Sequence, residues 1–267
     1  MTSIVQQTDP PGRTAERASD GMPVPQVLQG LTAVVTGGST GLGRQLAKGF
    51  LAAGARVMCA ARSAGDVMQL LAGNGDRAAF LPADVRDPDA LRQLMTETAG
   101  HFGGIDIVVA NAGVTRNGGV ARLSAHDWRD VMSTNVDGVF HTVQAALPHL
   151  RSGGSILTVS SAMATRAVPG ASAYATSKAA IEAFTRCCAV ECAPRGIRVN
   201  CLSPGILSVG MGEIVGADER LRALYWPRML AGRAGTAQEA VDAAVFLVSP
   251  AASYVNGHIL EVNGGLM

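Results

Sequence analysis

From Leu31 onward the chain alternates short, mostly apolar runs with segments of helical length, and this alternation narrows the choice of fold sharply. LTAVVT (31–36), ARVMCA (55–60), AAFLPA (78–83), IDIVVA (105–110), SILTVS (155–160), IRVNCL (197–202) and HILEV (258–262) read as seven strands. Residues 41–54, 87–101, about 124–151, 172–193 and 236–249 read as helices. Strands that are apolar on both faces must be covered on both, and a helix between consecutive strands is the crossover that parallel pairing needs. The pattern predicts an α/β fold: a doubly wound, mostly parallel seven-stranded sheet with helices on both faces. Segment 206–233, with Gly210, Gly212, Gly216 and Pro227, breaks the alternation and reads as a loop with a short helical piece.

Composition excludes several functions. The chain is 48% hydrophobic and 16% charged, against about 25% charged in an average soluble domain, which favours a large core and a buried subunit interface. A net charge of +1, with scattered basic residues, leaves no electrostatic footprint for nucleic acid or an anionic membrane. No apolar run approaches the ~20 residues that span a bilayer. The five cysteines, Cys59, Cys187, Cys188, Cys192 and Cys201, are odd in number and have no histidine near them in sequence. Packing residues in a reducing, cytoplasmic compartment are the expectation, not a disulfide framework or a metal site. Residues 1–29 lack the apolar core of a secretory signal and read as a mobile tail.

TGGSTGLG, Thr36 to Gly43, joins the first strand to the first helix. A glycine-rich turn there lets the backbone approach a pyrophosphate at a helix N-terminus, as in Rossmann-type folds, although the spacing is GxxxGxG and not GxGxxG. The second strand ends in Ala61, Arg62 and Ser63, with no carboxylate before Asp66. An acid there would hold the ribose 2′-hydroxyl of NAD(H), whereas an arginine suits a 2′-phosphate. The reading therefore favours NADP(H), with NAD(H) as the alternative if Arg62 is a solvated loop residue. Downstream, SAYATSK sets Tyr174 four residues before Lys178, so both share one helix face. A free tyrosine, with a pKa of about 10, is a poor base at neutral pH, and a neighbouring ammonium would favour its phenolate.

These motifs resemble the short-chain dehydrogenase/reductase family over residues 30–265. TGGSTGLG resembles its TGxxxGxG turn, Asp84-Val85 its adenine contact, and ANAG (110–113) its NNAG segment, with Ala110 for the first Asn. Asn135, Ser161 thirteen residues before Tyr174, and Tyr174-xxx-Lys178 resemble its catalytic set. Ser203-Pro204-Gly205 resembles the motif before its substrate loop. Val209, preceded by Ser208, stands where the family often has Thr, and Asn263 where Asp is usual.

The resemblance implies one Rossmann-fold oxidoreductase domain over 30–267. It implies a cofactor along Gly37, Ser39, Thr40, Gly41, Leu42, Gly43, Arg62, Asp84, Val85, Asn111, Ala112, Gly113, Pro204, Gly205, Ile206 and Ser208, with Tyr174 and Lys178. Tyr174 would be the proton donor, Ser161 the carbonyl partner, Lys178 the group lowering the tyrosine pKa and holding ribose, and Asn135 the holder of a relay water. A substrate would meet Ser161, Met163, Val168, Tyr174, Met211 and Trp226. The expected activity is NADPH-dependent reduction of an apolar or aromatic ketone, with a carrier-bound β-ketoacyl group as one variant. Alcohol oxidation with NAD(P)+ and a non-catalytic cofactor-binding role are the alternatives. Helices 124–151 and 172–193 would pair subunits into a homotetramer or dimer. No metal, nucleic acid or membrane is expected.

Overall fold

The computed structural model describes residues 26–267. Seven parallel strands form one sheet in the order β3-β2-β1-β4-β5-β6-β7. They are β1 (Thr32–Thr36), β2 (Arg56–Ala61), β3 (Ala78–Pro82), β4 (Ile105–Ala110), β5 (Leu150–Val159), β6 (Arg198–Pro204) and β7 (Ile259–Val262). The helices are α1 (Gly41–Ala52), α2 (Val67–Ala72), α3 (Pro88–Phe102), α4 (Ala125–Met132), α5 (Gly138–Ala146), α6 (Ser172–Cys192), α7 (Met211–Ala217), α8 (Glu219–Tyr225) and α9 (Ala237–Val248).

Alternation along the strands divides the core. Val35 and Val109 pack with Leu46 and Phe50 of α1 and Val241 and Leu247 of α9. Their sequence neighbours Val34 and Val108 face Leu91 and Leu94 of α3, Val143 of α5 and Cys188 of α6. Side chains two apart share a face, so the apolar runs feed both layers and the doubly wound arrangement follows. Local signals set the ends of α3. Pro88 occupies its first turn, the Asp87 carboxylate accepts from the Asp89 and Ala90 amides (2.9 and 3.3 Å), and Gly103 stops it at φ 80°.

Three segments depart from the sequence reading. The single helix expected over 124–151 is α4 and α5 joined by a π-helical turn at Ser133–Asp137, and it stops at Ala146. Strand β5 starts early, at Leu150, because Arg151 holds Asp106 at 2.9 Å and also bonds the Gly103 carbonyl. Segment 206–233 is more helical than expected, since the Asp218 carboxylate caps α8 through the Arg220 and Leu221 amides (2.8 and 3.2 Å). The tail reading for residues 1–25 lies outside the described residues, whereas Leu28 is wholly buried and its amide bonds the Ala53 carbonyl at 2.9 Å. Residues 26–29 thus pack on the domain, not with a tail.

Candidate active site

Strand order turns back between β1 and β4, which opens a crevice at the carboxyl ends of the strands, where doubly wound sheets bind ligands. The glycine turn lies there. Gly37 has φ 65°, and a Cβ on it would stand 2.9 Å from the Ala112 Cα. A Cβ on Gly43 would run into the Gly37 carbonyl oxygen, so the turn closes only without side chains at both positions. Asn111 fastens it: Nδ2 donates to the Thr36 and Gly37 carbonyls (3.0 and 3.3 Å), and its amide donates to Thr36 Oγ1 (3.1 Å). Asn111, expected on the cofactor, spends its side-chain amide on the turn itself, with Ala112 and Gly113 continuing the wall.

At the start of α1, Thr40 makes no side-chain cap and the first turn holds no acid. Its leading N–H groups remain open to an anion beside Ser39, Gly41 and Leu42. A cradle a Cβ would fill and an uncapped helix start fit a pyrophosphate. Gly65, from the loop after β2, lies against Thr40, bringing that loop and its exposed Arg62 to the same edge. Arg62 makes no ion pair among the described residues. Asp84 lies just past the end of β3 and is paired with Arg86. Arg86 grips its carboxylate (2.6 Å at the closest), and that hydrogen bond leads in holding the carboxyl below its usual range. Val85 is buried next to Gly138 and shapes the wall.

The residues expected to do chemistry converge on the same edge. Ser161 follows β5, and its Oγ accepts from the Met163 amide at 3.2 Å. Tyr174 and Lys178 lie one turn apart on α6, with Lys178 Nζ 5.5 Å from the Tyr174 ring centre. Burial pushes the Tyr174 pKa up, and a hydrogen bond with Ser161 opposes the rise. Burial also lowers Lys178 to about 8, and its Nζ donates to the Val159 carbonyl at 2.8 Å. Desolvation is the leading cause of the tyrosine shift, and the Lys178 ammonium is itself desolvated and turned to a carbonyl. Asn135, on the π turn and wholly buried, brackets Val114: Oδ1 accepts from its amide at 2.8 Å and Nδ2 donates to its carbonyl at 2.9 Å. Nδ2 also donates to Ser177 Oγ (3.0 Å), which donates to the Tyr174 carbonyl (2.7 Å). Both amide hydrogens are taken, so the side chain straps the Val114 backbone to the helix turn carrying Tyr174.

Beside Ser161 opens a cavity of about 260 Å³ lined by Met163, Val168, Gly205, Ile206, Tyr225, Arg228 and Leu266, among others. Met163 and Val168 line it as expected. Met211 does not, standing about half exposed at the start of α7, and Trp226 packs behind the wall against the Tyr225–Met229 cluster. Gly205, following Pro204, is pinned by its amide to the Val262 carbonyl (2.9 Å). Ser208 is exposed, and its amide bonds the Gly235 carbonyl at 2.8 Å. The wall made by Leu266 and Met267 escaped sequence reading. The Gly264–Gly265 pair turns the chain back with φ of 64° and 72°, and Ala231 and Met267 then bond the Gly264 and Arg228 carbonyls, both at 2.9 Å. That VNGG segment was the available signal. Among the described residues no cluster of metal-ligating side chains occurs, and no helix is long and apolar enough to cross a membrane.

The sequence matches a family described as enoyl-(acyl carrier protein) reductase over residues 37–267. It is 34% identical over 241 residues to the 3-oxoacyl-acyl-carrier-protein reductase FabG of Vibrio cholerae, covering 90% of this chain and 98% of that one. It is 38% identical over 244 residues to the gluconate 5-dehydrogenase of Gluconobacter oxydans, covering 90% and 95%. A short-chain dehydrogenase from Burkholderia cenocepacia, crystallised with NADP, superposes with a TM-score of 0.85 at 37% identity, covering 90% of this chain and 98% of that one. A gluconate 5-dehydrogenase from the same organism, in complex with NADP and tartrate, gives 0.85 at 32% identity, covering 91% and 97%. The chain belongs to the short-chain dehydrogenase/reductase family of oxidoreductases.

Proposed function

We propose that the protein is an NADPH-dependent reductase that converts a ketone to a secondary alcohol, acting in the cytoplasm as a homo-oligomer. The observation that carries this reading is Ser161 on the wall of a cavity, with the buried Tyr174 phenol whose pKa it influences and Lys178 one helical turn along α6. The glycine cradle, the open start of α1 and Arg62, which makes no ion pair among the described residues, suit NADP(H), and relatives crystallised with NADP support the same cofactor. Gly37, Ser39, Thr40, Gly41, Leu42 and Gly43 would hold its phosphates and Arg62 its 2′-phosphate. Lys178 would meet the ribose. Bound there, NADPH supplies the hydride.

The residues of the chain manage the carbonyl oxygen. Ser161 Oγ donates a hydrogen bond to it and stabilises the charge that develops. The Tyr174 phenol, whose pKa burial raises, delivers the proton. The apolar wall of Met163, Val168, Ile206 and Leu266 receives the body of the substrate. Asn135 and Ser177 hold Tyr174 and Lys178 in register.

The test is turnover of a carbonyl panel with NADPH and NADH by the wild type and by Tyr174→Phe. Reduction that prefers NADPH and collapses in the variant supports the reading. Binding of NADPH with no turnover across the panel would favour a cofactor-binding role instead. A carrier-bound β-ketoacyl substrate is a second form of the same reading, supported by the kinship to the 3-oxoacyl reductase.

A further inference from the structure

Two guanidinium groups reach the cavity beside Ser161, and they differ in one respect. Arg166 is spent. Its terminal nitrogens pair with both oxygens of Glu261 (3.1 and 2.8 Å), and its Nε bonds the Leu266 carbonyl. Arg228 takes no carboxylate and makes no side-chain hydrogen bond among the described residues. Next to it on the wall is Tyr225, 8% exposed, whose hydroxyl likewise has no partner among them. The cavity lining contains no Asp or Glu. A guanidinium with no ion-pair partner and a hydroxyl with no hydrogen-bond partner among the described residues therefore line a pocket whose other side chains are largely apolar.

We propose that Arg228, assisted by the Tyr225 hydroxyl, binds an anionic oxygen group on the substrate, a carboxylate or a phosphate, so that the enzyme takes an oxo acid or an equivalent oxo phosphate in preference to a neutral ketone. The inference rests on the reductase reading, in which Ser161 marks the carbonyl end of the same cavity. The substrate then spans the pocket, with its carbonyl at Ser161 and Tyr174, its apolar middle along Met163 and Val168, and its anion at Arg228. A guanidinium suits this task because its planar donors match a carboxylate or phosphate edge in pairs.

The experiment uses the full chain with NADPH. Short-chain oxo acids are compared with their methyl esters, and dihydroxyacetone phosphate with dihydroxyacetone. The wild type should prefer the anionic member in kcat/KM. Arg228→Ala should lower that preference about 10- to 100-fold, the range for a hydrogen bond to a charged group, and Arg228→Lys should restore part of it. Arg92→Ala, on the exposed face of α3, should keep the preference. Preference within the oxo-acid pairs identifies a carboxylate, and preference confined to the dihydroxyacetone pair identifies a phosphate. No preference in either set, or equal losses for both members in Arg228→Ala, overturns the proposal. If nothing is reduced, the reductase reading fails on its own. Melting of the NADP+-loaded protein with each pair then still decides: a larger rise with the acid than the ester, lost in Arg228→Ala, supports the site, and equal rises refute it.

Discussion

Asn135→Ala separates two roles that one residue has been given. If Asn135 serves only a proton relay, its loss slows turnover and leaves the fold intact. The hydrogen bonds argue otherwise. The side chain satisfies both the amide and the carbonyl of Val114 and reaches Ser177, which bonds the Tyr174 carbonyl. Truncation strands two backbone groups, each costing about 1–3 kcal/mol when left unpaired. Val114 is only half-buried, so water recovers part of that, and about 3 kcal/mol in total is the expected loss. For a domain of this size each kcal/mol moves the melting temperature by about 2–4 °C, which gives a fall of about 6–12 °C. Urea unfolding should show a lower midpoint with an unchanged slope. A double-mutant cycle with Ser177→Ala should reveal a coupling of about 0.5–3 kcal/mol, because the two side chains share one hydrogen bond. A variant that melts within a degree or so of the wild type while losing turnover would refute the strap and return Asn135 to the relay alone.

Tyr174→Phe should cut turnover by about 10²–10⁴-fold, the usual share of a general acid, while nicotinamide fluorescence still reports NADPH binding. Arg62→Ala should weaken NADPH about 10- to 100-fold and leave NADH within a few fold, read by the same titration. Gly43→Ala forces a methyl into the Gly37 carbonyl and should lose both cofactors with a melting drop of several degrees, since overpacking costs about 1–3 kcal/mol. Arg233 and the Thr236 amide hold the Glu239 carboxyl down at about 2, against an ordinary 4.5. A depressed folded pKa adds stability above about pH 4.5 that is lost as pH falls towards 2. The melting gap between wild type and Glu239→Gln should therefore close over that window, and a gap independent of pH would exclude the ion pair as its source.

Core patterning made most of the fold legible. All seven strands were visible because each is apolar towards two helix layers, and Pro88 with Asp87 marked the start of α3 in plain sequence. Helix α2 was missed, being only six residues long and too short for a periodic face to show. The π turn at Ser133–Asp137 was invisible for another reason. Its flanks carry an ordinary helical pattern, and what it accomplishes is to turn Asn135 towards Val114 and Ser177, partners 21 and 42 residues away. The partners of the motif residues were not legible either. The Asp84 carboxylate is held by Arg86 and the Asn111 side-chain amide by the glycine turn.

Charge shows most clearly why the rest required coordinates. Arg166, Arg228 and Arg233 look alike in the sequence, each a lone cation near the segment expected to receive substrate. Partner choice separates them. Arg233 meets Glu239 six residues on, a pairing within reach of sequence inspection, whereas Arg166 meets Glu261 across 95 residues of chain. Only when both carboxylates are assigned does Arg228 stand out as the cavity cation with no ion-pair partner among the described residues. Exposed ion pairs of this kind contribute little stability, with a median of about 0–1 kcal/mol. The pairing of Arg166 matters here for a different reason: it neutralises one of the two guanidinium groups on the wall and leaves Arg228 as the one with no ion-pair partner among the described residues.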